Sequence, residues 1–243
     1  MRVVMRRNLA SAGRRAARRP VRTAAVAVAA VGMLALSGCG LRPGVAAEVG
    51  DRTITKEQVE DVASALCAAN LTPGPGGQAP QLPSSGARAG ALQVLLDAEL
   101  ARQFGEAEGV EADQTQVAAA LAQNEPGIAA LPEDRQDAFR DALRAYTEGQ
   151  LMLIEAGRRS LRSGGTTEVT DDDAFAEGRR LQLAYVEGLD IEVDPRFGEF
   201  DEGQLVPGSP SLSVAQSEFA VAAGSGQPDQ SFVAQLPTTQ LCS

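Results

Sequence analysis

Carboxylates supply most of the side chains in this sequence that could do chemistry. The 243 residues carry 32 Asp and Glu against 22 Lys and Arg, with three cysteines (Cys39, Cys67, Cys242), two tyrosines, no histidine and no tryptophan. Without histidine there is no imidazole base, no Ser-His-Asp or Cys-His nucleophile, and no His-bound zinc or iron. Three cysteines cannot close a four-thiolate zinc site. Carboxylate-only, Ser-Lys and Tyr mechanisms survive this inventory. Asp190, Glu192, Asp194 and Glu199 form the densest late cluster, but the first three alternate with Ile191 and Val193. That alternation reads as a strand with a solvated acidic face. No activating neighbour marks any of the four as catalytic. Asp171-Asp172-Asp173 follows Thr170. A cation site is one reading; stabilisation of a helix N-terminus is preferred, because calcium loops spread their ligands over a longer, Gly-containing loop. The expectation is therefore a protein that is not an enzyme, with no catalytic residue, no metal site and no cofactor.

The thiols say more. Cys39 follows a leader whose first 22 residues hold eight arginines and no acid, then a 13-residue apolar run, Ala24 to Leu36. A basic segment followed by a short apolar one and small residues reads as a secretory signal, and it is shorter than the ~20 residues of a membrane span. Leu36-Ser37-Gly38-Cys39 resembles the lipobox of bacterial lipoproteins. The resemblance implies acylation of Cys39, palmitate included, and cleavage before it. The protein is then anchored to the outer face of the cell membrane, since two or three acyl chains hold far more firmly than one. The alternatives are a signal cut elsewhere, or Cys39 as a disulfide partner.

With Cys39 consumed by lipid, Cys67 and Cys242 remain, and an even remainder in an oxidising compartment is expected to pair. Such a disulfide would close a loop over most of the chain and stabilise it by at most about 5 kcal/mol in the chain-entropy account. The alternative is two separate thiols, one in a helix and one in a frayed tail. Removing residues 1–38 also leaves 14 basic against 32 acidic residues, a net charge of −18. So acidic a surface disfavours nucleic acid as a partner.

The elements that must position these groups are mostly helical. Gly50-Asp51 separates two short β-compatible runs, a hairpin signal. Thr55-Lys56-Glu57-Gln58 is a capping box opening a helix to about Ala69. A segment rich in Pro and Gly spans 70–86. Leu92, Leu95, Leu96, Leu100 and Phe104 give a helical stripe over 87–108, ended by Gly109. Asp113 caps a shorter helix to about Gln123, and Asn124 to Leu131 is expected to break the chain. Pro132-Glu133-Asp134 starts the longest helix, which reaches about Leu161, with Phe139, Leu143, Tyr146, Leu153 and Ile154 as its apolar face. Thr170 caps another to about Glu187. Ile191 and Val193 lie on a returning strand, Asp194-Pro195-Arg196 is a turn to a second short strand, and the chain beyond is expected to be irregular.

These pieces, in this order, resemble the N-terminal module of SurA-like and PrsA-like extracytoplasmic chaperones, the peptide-binding type shared with trigger factor. Val49-Gly50-Asp51-Arg52-Thr53-Ile54-Thr55 carries the hairpin of that resemblance, and Val193-Asp194-Pro195-Arg196-Phe197-Gly198 its returning strand. The expected fold is a mostly α, SurA-N-like helical module over 45–201, with a small sheet joining early and late segments. Residues 1–38 are the signal, 39–44 a tether, and 202–243 an irregular tail, with signal and tail disordered. The resemblance implies binding of unfolded, extended or exported polypeptides. The chain leaves no room for the roughly hundred-residue parvulin unit of the isomerases. The competing reading is an adaptor that docks one specific envelope protein. Leu92, Leu96, Phe104 and Met152 are of the residue types that suit a client groove. Their helical spacing equally suits a packed core, the preferred reading. No peptide-binding residue is assigned from sequence.

Overall fold

A computed structural model describes residues 43–71, 81–206 and 230–242. The chain enters through strand β1 (Val45–Val49), turns at Gly50-Asp51, and returns along β2 (Arg52–Thr55). Gly50 takes a φ of +59°, a left-handed backbone that an L side chain disfavours, so glycine suits the turn. Thr55 and Gln58 then cap helix α1 (Lys56–Leu71) reciprocally: Thr55 N–H donates to Gln58 Oε1 at 2.8 Å, and Gln58 N–H donates to Thr55 Oγ1 at 3.2 Å. Four long helices follow: α2 (Ser84–Glu108), α3 (Gln114–Ala129), α4 (Glu133–Ser163) and α5 (Asp171–Val186). Strand β3 (Ile191–Val193) comes back to the start of the domain. It pairs antiparallel with β1, Ala47 facing Val193 and Val49 facing Ile191, so the sheet order is β2-β1-β3. The early and late ends of the domain are thus sewn together, as the resemblance implied.

Most helix boundaries follow the sequence signals. Gly109 at φ +62° stops α2, and the Asp113 carboxylate accepts from Thr115 and Gln116 N–H groups to start α3. Helix α3 differs from expectation. It continues through Asn124-Glu125-Pro126-Gly127 to Ala129. A proline inside a helix costs about 3 kcal/mol. Ile128, fully buried two residues later, offsets much of that, and Glu125 pairs with Arg140 of α4 at 3.0 Å. Tertiary burial overrides the local breaker.

The C-terminal part also carries more order than the sequence suggests. Strand β4 (Glu199–Asp201) pairs with β5 (Gln204–Val206) around Glu202-Gly203, both at positive φ. A single helical turn, α6 (Gln230–Val233), and a 3-10 turn at Thr238–Gln240 precede Cys242. Leu241 bridges Pro83, and Cys242 N–H donates to the Leu82 carbonyl at 2.9 Å. The signal and most of the expected tail lie outside the described residues.

Two apolar clusters hold the helices. The larger joins the sheet (Ala46, Ala47, Val49, Ile54) to Val59 and Val62 of α1 and to Leu92, Leu96 and Leu100 of α2. Each Val, Ile or Leu among them contributes about 1.5–3 kcal/mol when fully buried. The second gathers Ala101 and Phe104 of α2, Val110, and Leu153 and Ala156 of α4. The face that α4 buries most deeply is made of small residues, Ala142, Gly149, Ala156 and Gly157 around Leu153. A Cβ at Gly178 of α5 would fall 2.0 Å from the Leu153 carbonyl oxygen, and one at Gly157 1.9 Å from that of Ala174. Helices α4 and α5 therefore meet backbone to backbone. Of the expected apolar face, Leu153 is buried, while Phe139, Leu143, Tyr146 and Ile154 are only half-buried.

Candidate functional site

Three of the four residues weighed for a client groove are core. Leu92 and Leu96 are fully buried, Phe104 is buried, and Phe104 stacks obliquely on Tyr185 of α5 with centroids 5.9 Å apart. Met152 is half-buried and lies over Gly105, where a Cβ would meet its Sδ at 2.6 Å. The helical spacing of these residues served packing. Among the described residues, the large apolar side chains left exposed are Leu71 at the end of α1 and Leu183 on α5. Two isolated aliphatics do not make a broad apolar groove.

The Cys67 and Cys242 sulfurs lie at disulfide distance, 2.04 Å, which brings the C-terminal segment against the end of α1. Cys39 lies outside the described residues. The aspartates at 171–173 sit in the first turn of α5: Thr170 and Asp173 form its cap, and Asp171 pairs with Arg158 of α4 at 2.5 Å.

The late acidic strand needs one correction. Asp190, Glu192 and Glu199 are exposed as expected, but Asp194 is buried. It stands where β3 leaves the sheet, its N–H donating to the Ala46 carbonyl at 2.8 Å. The carboxylate takes the Arg196 N–H at 3.0 Å, the Arg196 guanidinium at 2.8 and 3.1 Å, and the Lys56 ammonium of α1 at 2.7 Å. These donors, Arg196 first, hold its pKa well below the usual carboxylate range. Asp194 is a tie between the late strand and the first helix. Period-two spacing places it on the strand, but only the tertiary fold brings Lys56 to it.

Sequence reasoning missed a second polar cluster entirely. Asp97 and Gln93 are one turn apart on α2, and Arg179 and Gln182 lie three apart on α5. With Gly203, Gln204 and Leu205 of the β4–β5 hairpin, Gln93, Asp97 and Arg179 line a cleft of about 220 Å³. Both ends of the Gln93 amide are engaged: its Oε1 accepts the Leu205 backbone N–H at 2.6 Å, and its Nε2 donates to Asp97 Oδ1 at 3.0 Å. Burial pushes the Asp97 carboxyl upward, against the pull of Gln93 and of Arg179 across the cleft. Gln182 is 1% exposed, and its Oε1 accepts from Arg179 Nη1 at 2.7 Å. Its Nε2 has no partner among the described residues. No local sequence signal unites these residues, because they come from three elements.

A second cleft, about 380 Å³, lies where α4 ends and α5 begins, lined by Leu161, Ala176 and ionic groups. Its Glu177 is satisfied by Arg180 and by Ser160 of α4, which hold its pKa down to about 2. Among the described residues there is no group of His, Cys, Asp and Glu arranged to hold a metal ion, and no helix long and apolar enough to cross a membrane.

A family model described as the SurA-like N-terminal domain matches residues 11–161, more than half of the chain. The match ends inside α4, so α5 and β3, which closes the sheet, come from beyond it. No curated protein and no solved structure matches the chain at a significant level.

Proposed function

The chain belongs to the SurA-like N-terminal domain family, and on that premise we propose that it is a lipid-anchored, extracytoplasmic, chaperone-like binder of unfolded or extended polypeptides. The family match carries this reading, since the family is one of chaperone-like peptide-binding modules. Binding proceeds without isomerisation or any other catalytic step. Anchoring is supported by the placement of Cys39 directly after the apolar run, and export by two further cysteines whose sulfurs lie at bonding distance. The strongly acidic remainder keeps the protein soluble and away from nucleic acid.

A second reading has its own observation. The bundle is closed among the described residues, with only Leu71 and Leu183 as large exposed apolar groups. That favours an adaptor which docks one envelope protein over a holdase with a broad apolar surface.

Aggregation suppression by the full chain, tested with several unrelated unfolded clients, separates the two. The chaperone reading expects suppression of all of them; no suppression, with capture of a single envelope partner, selects the adaptor. Cys39→Ala should move the protein from the detergent phase to the aqueous phase, and continued detergent partitioning would refute the anchor. Mass analysis without reductant should find Cys67 and Cys242 in one linked peptide pair; alkylation of both thiols would refute the bond.

A further inference from the structure

We propose that the cleft between α2, α5 and the β4–β5 hairpin is a binding site for a carboxamide group, held between Asp97 and Arg179. Three observations converge on it. Asp97 and Arg179 both line the cleft, yet no ion pair within 4.0 Å joins them among the described residues. Arg179 instead spends one N–H on Gln182 Oε1, and Asp97 takes its hydrogen bond from Gln93. Behind Arg179, the buried Gln182 Nε2 has no partner among the described residues, so the polar groups packed behind this wall are not saturated.

The chemistry of the ligand follows from the two walls. An anion drawn to Arg179 would meet the Asp97 carboxylate, and a cation drawn to Asp97 would meet the guanidinium. A neutral group with one donor and one acceptor satisfies both: its N–H donates to Asp97 and its carbonyl accepts from Arg179, two charge-assisted bonds. A peptide unit and the side-chain amides of Asn and Gln have that chemistry. The volume, below the roughly 300–1,000 Å³ of sites for drug-sized ligands, fits a fragment of that kind. The same wall already holds one backbone amide, because Gln93 Oε1 accepts the N–H of Leu205. The raised pKa of Asp97 reflects the same burial, which strengthens any hydrogen bond made inside the cleft.

The source of the carboxamide, an exported polypeptide, rests on the chaperone-like reading above. The test uses the full chain, 15N-labelled in detergent micelles, and follows the side-chain amide signals of Gln93 and Gln182. Two blocked dipeptides are titrated, acetyl-Ala-Ala-methylamide and acetyl-Ala-Asn-methylamide, with acetate as the anion control. Saturable shifts with both peptides assign the cleft to peptide units. Shifts with the asparagine peptide alone assign it to side-chain amides. Arg179→Met should weaken binding about tenfold or more, the effect of losing one charge-assisted hydrogen bond. Asp97→Asn, nearly isosteric, should weaken it by a similar factor and serves if Arg179→Met fails to fold. No saturable shift with either peptide, a response to acetate alone, or undiminished binding in a folded variant overturns the proposal. Aggregation suppression measured on the same samples keeps the two readings apart. Suppression without peptide binding at Gln93 and Gln182 sinks the cleft and leaves the chaperone. Peptide binding without suppression does the reverse.

Discussion

Two carboxylates, the buried Asp194 and the half-buried Asp97, have opposite surroundings. Asp194 is met by four donors from Arg196 and Lys56, and both oxygens are used. Among the described residues Asp97 has one side-chain donor, Gln93, and faces Arg179 without an ion pair. Breaking a buried charge pair leaves its partner stranded in low dielectric, so a saturated site is rigid and costly to remove. An unsaturated one keeps hydrogen-bonding capacity for something else. The first carboxylate builds the fold, and the second is available for recognition.

The largest test of that contrast removes the cleft without touching Asp194. Gly178→Val places a side chain against the Leu153 carbonyl and forces α5, with Arg179 and Gln182, off α4. The loss should be about 4 kcal/mol or more, since backbone cannot yield as a flexible side chain can. Urea unfolding of the variant measures it, and a loss below about 1 kcal/mol would show that the two helices do not pack through Gly178.

Next in size is Asp194→Ala, which strands Lys56. We expect a loss of about 3 kcal/mol, the low end for buried pairs because the Lys56 side chain is 26% exposed. Hydrogen exchange at Ala47 and Val193, paired across β1 and β3, should accelerate with it. Unchanged exchange there would sever Asp194 from the closing of the sheet.

The pH dependences of the two sites have opposite sign. The Asp194 pKa is depressed in the fold, so its stabilisation is present above the unfolded value near 3.8 and is lost as pH falls below it. The Asp97 pKa is raised, so its ionisation weakens the fold as pH climbs from that same value through the folded pKa. Urea melts from about pH 1.5 to pH 7 should show Asp194→Asn flattening the acid limb and Asp97→Asn flattening the slope above it.

The smallest expected effect is Asp97→Asn near neutral pH. Its Oδ1 still accepts from Gln93 while the desolvated charge is gone, so stability should change by less than about 1 kcal/mol. A gain rather than a loss would sharpen the contrast; a loss comparable to that of Asp194→Ala would erase it.

Local signals foretold the elements well where the chemistry is local. The Thr55, Asp113 and Thr170 caps, the stop at Gly109 and the Gly50 turn each depend on residues within a few positions. They were less telling where burial decides. Pro126 reads as a breaker until Ile128 is seen to be buried, and the apolar face of α4 looks like its large residues until Gly149 and Gly157 are seen at the contacts. The Asp194 tie was half legible: its strand was visible, and its salt partner across the domain was not.

From the sequence come the inventory, with no histidine and three cysteines, and the succession of helices between an early hairpin and a returning strand. They are legible there because composition, periodicity and capping are properties of residues near one another in the chain. The tertiary structure alone makes Leu92, Leu96 and Phe104 core, saturates Asp194, and brings Asp97 and Arg179 to one cleft with Gln182 behind Arg179. Those outcomes depend on burial and on groups from α2, α5 and the β4–β5 hairpin coming within hydrogen-bond reach, and neither quantity exists until the helices have packed.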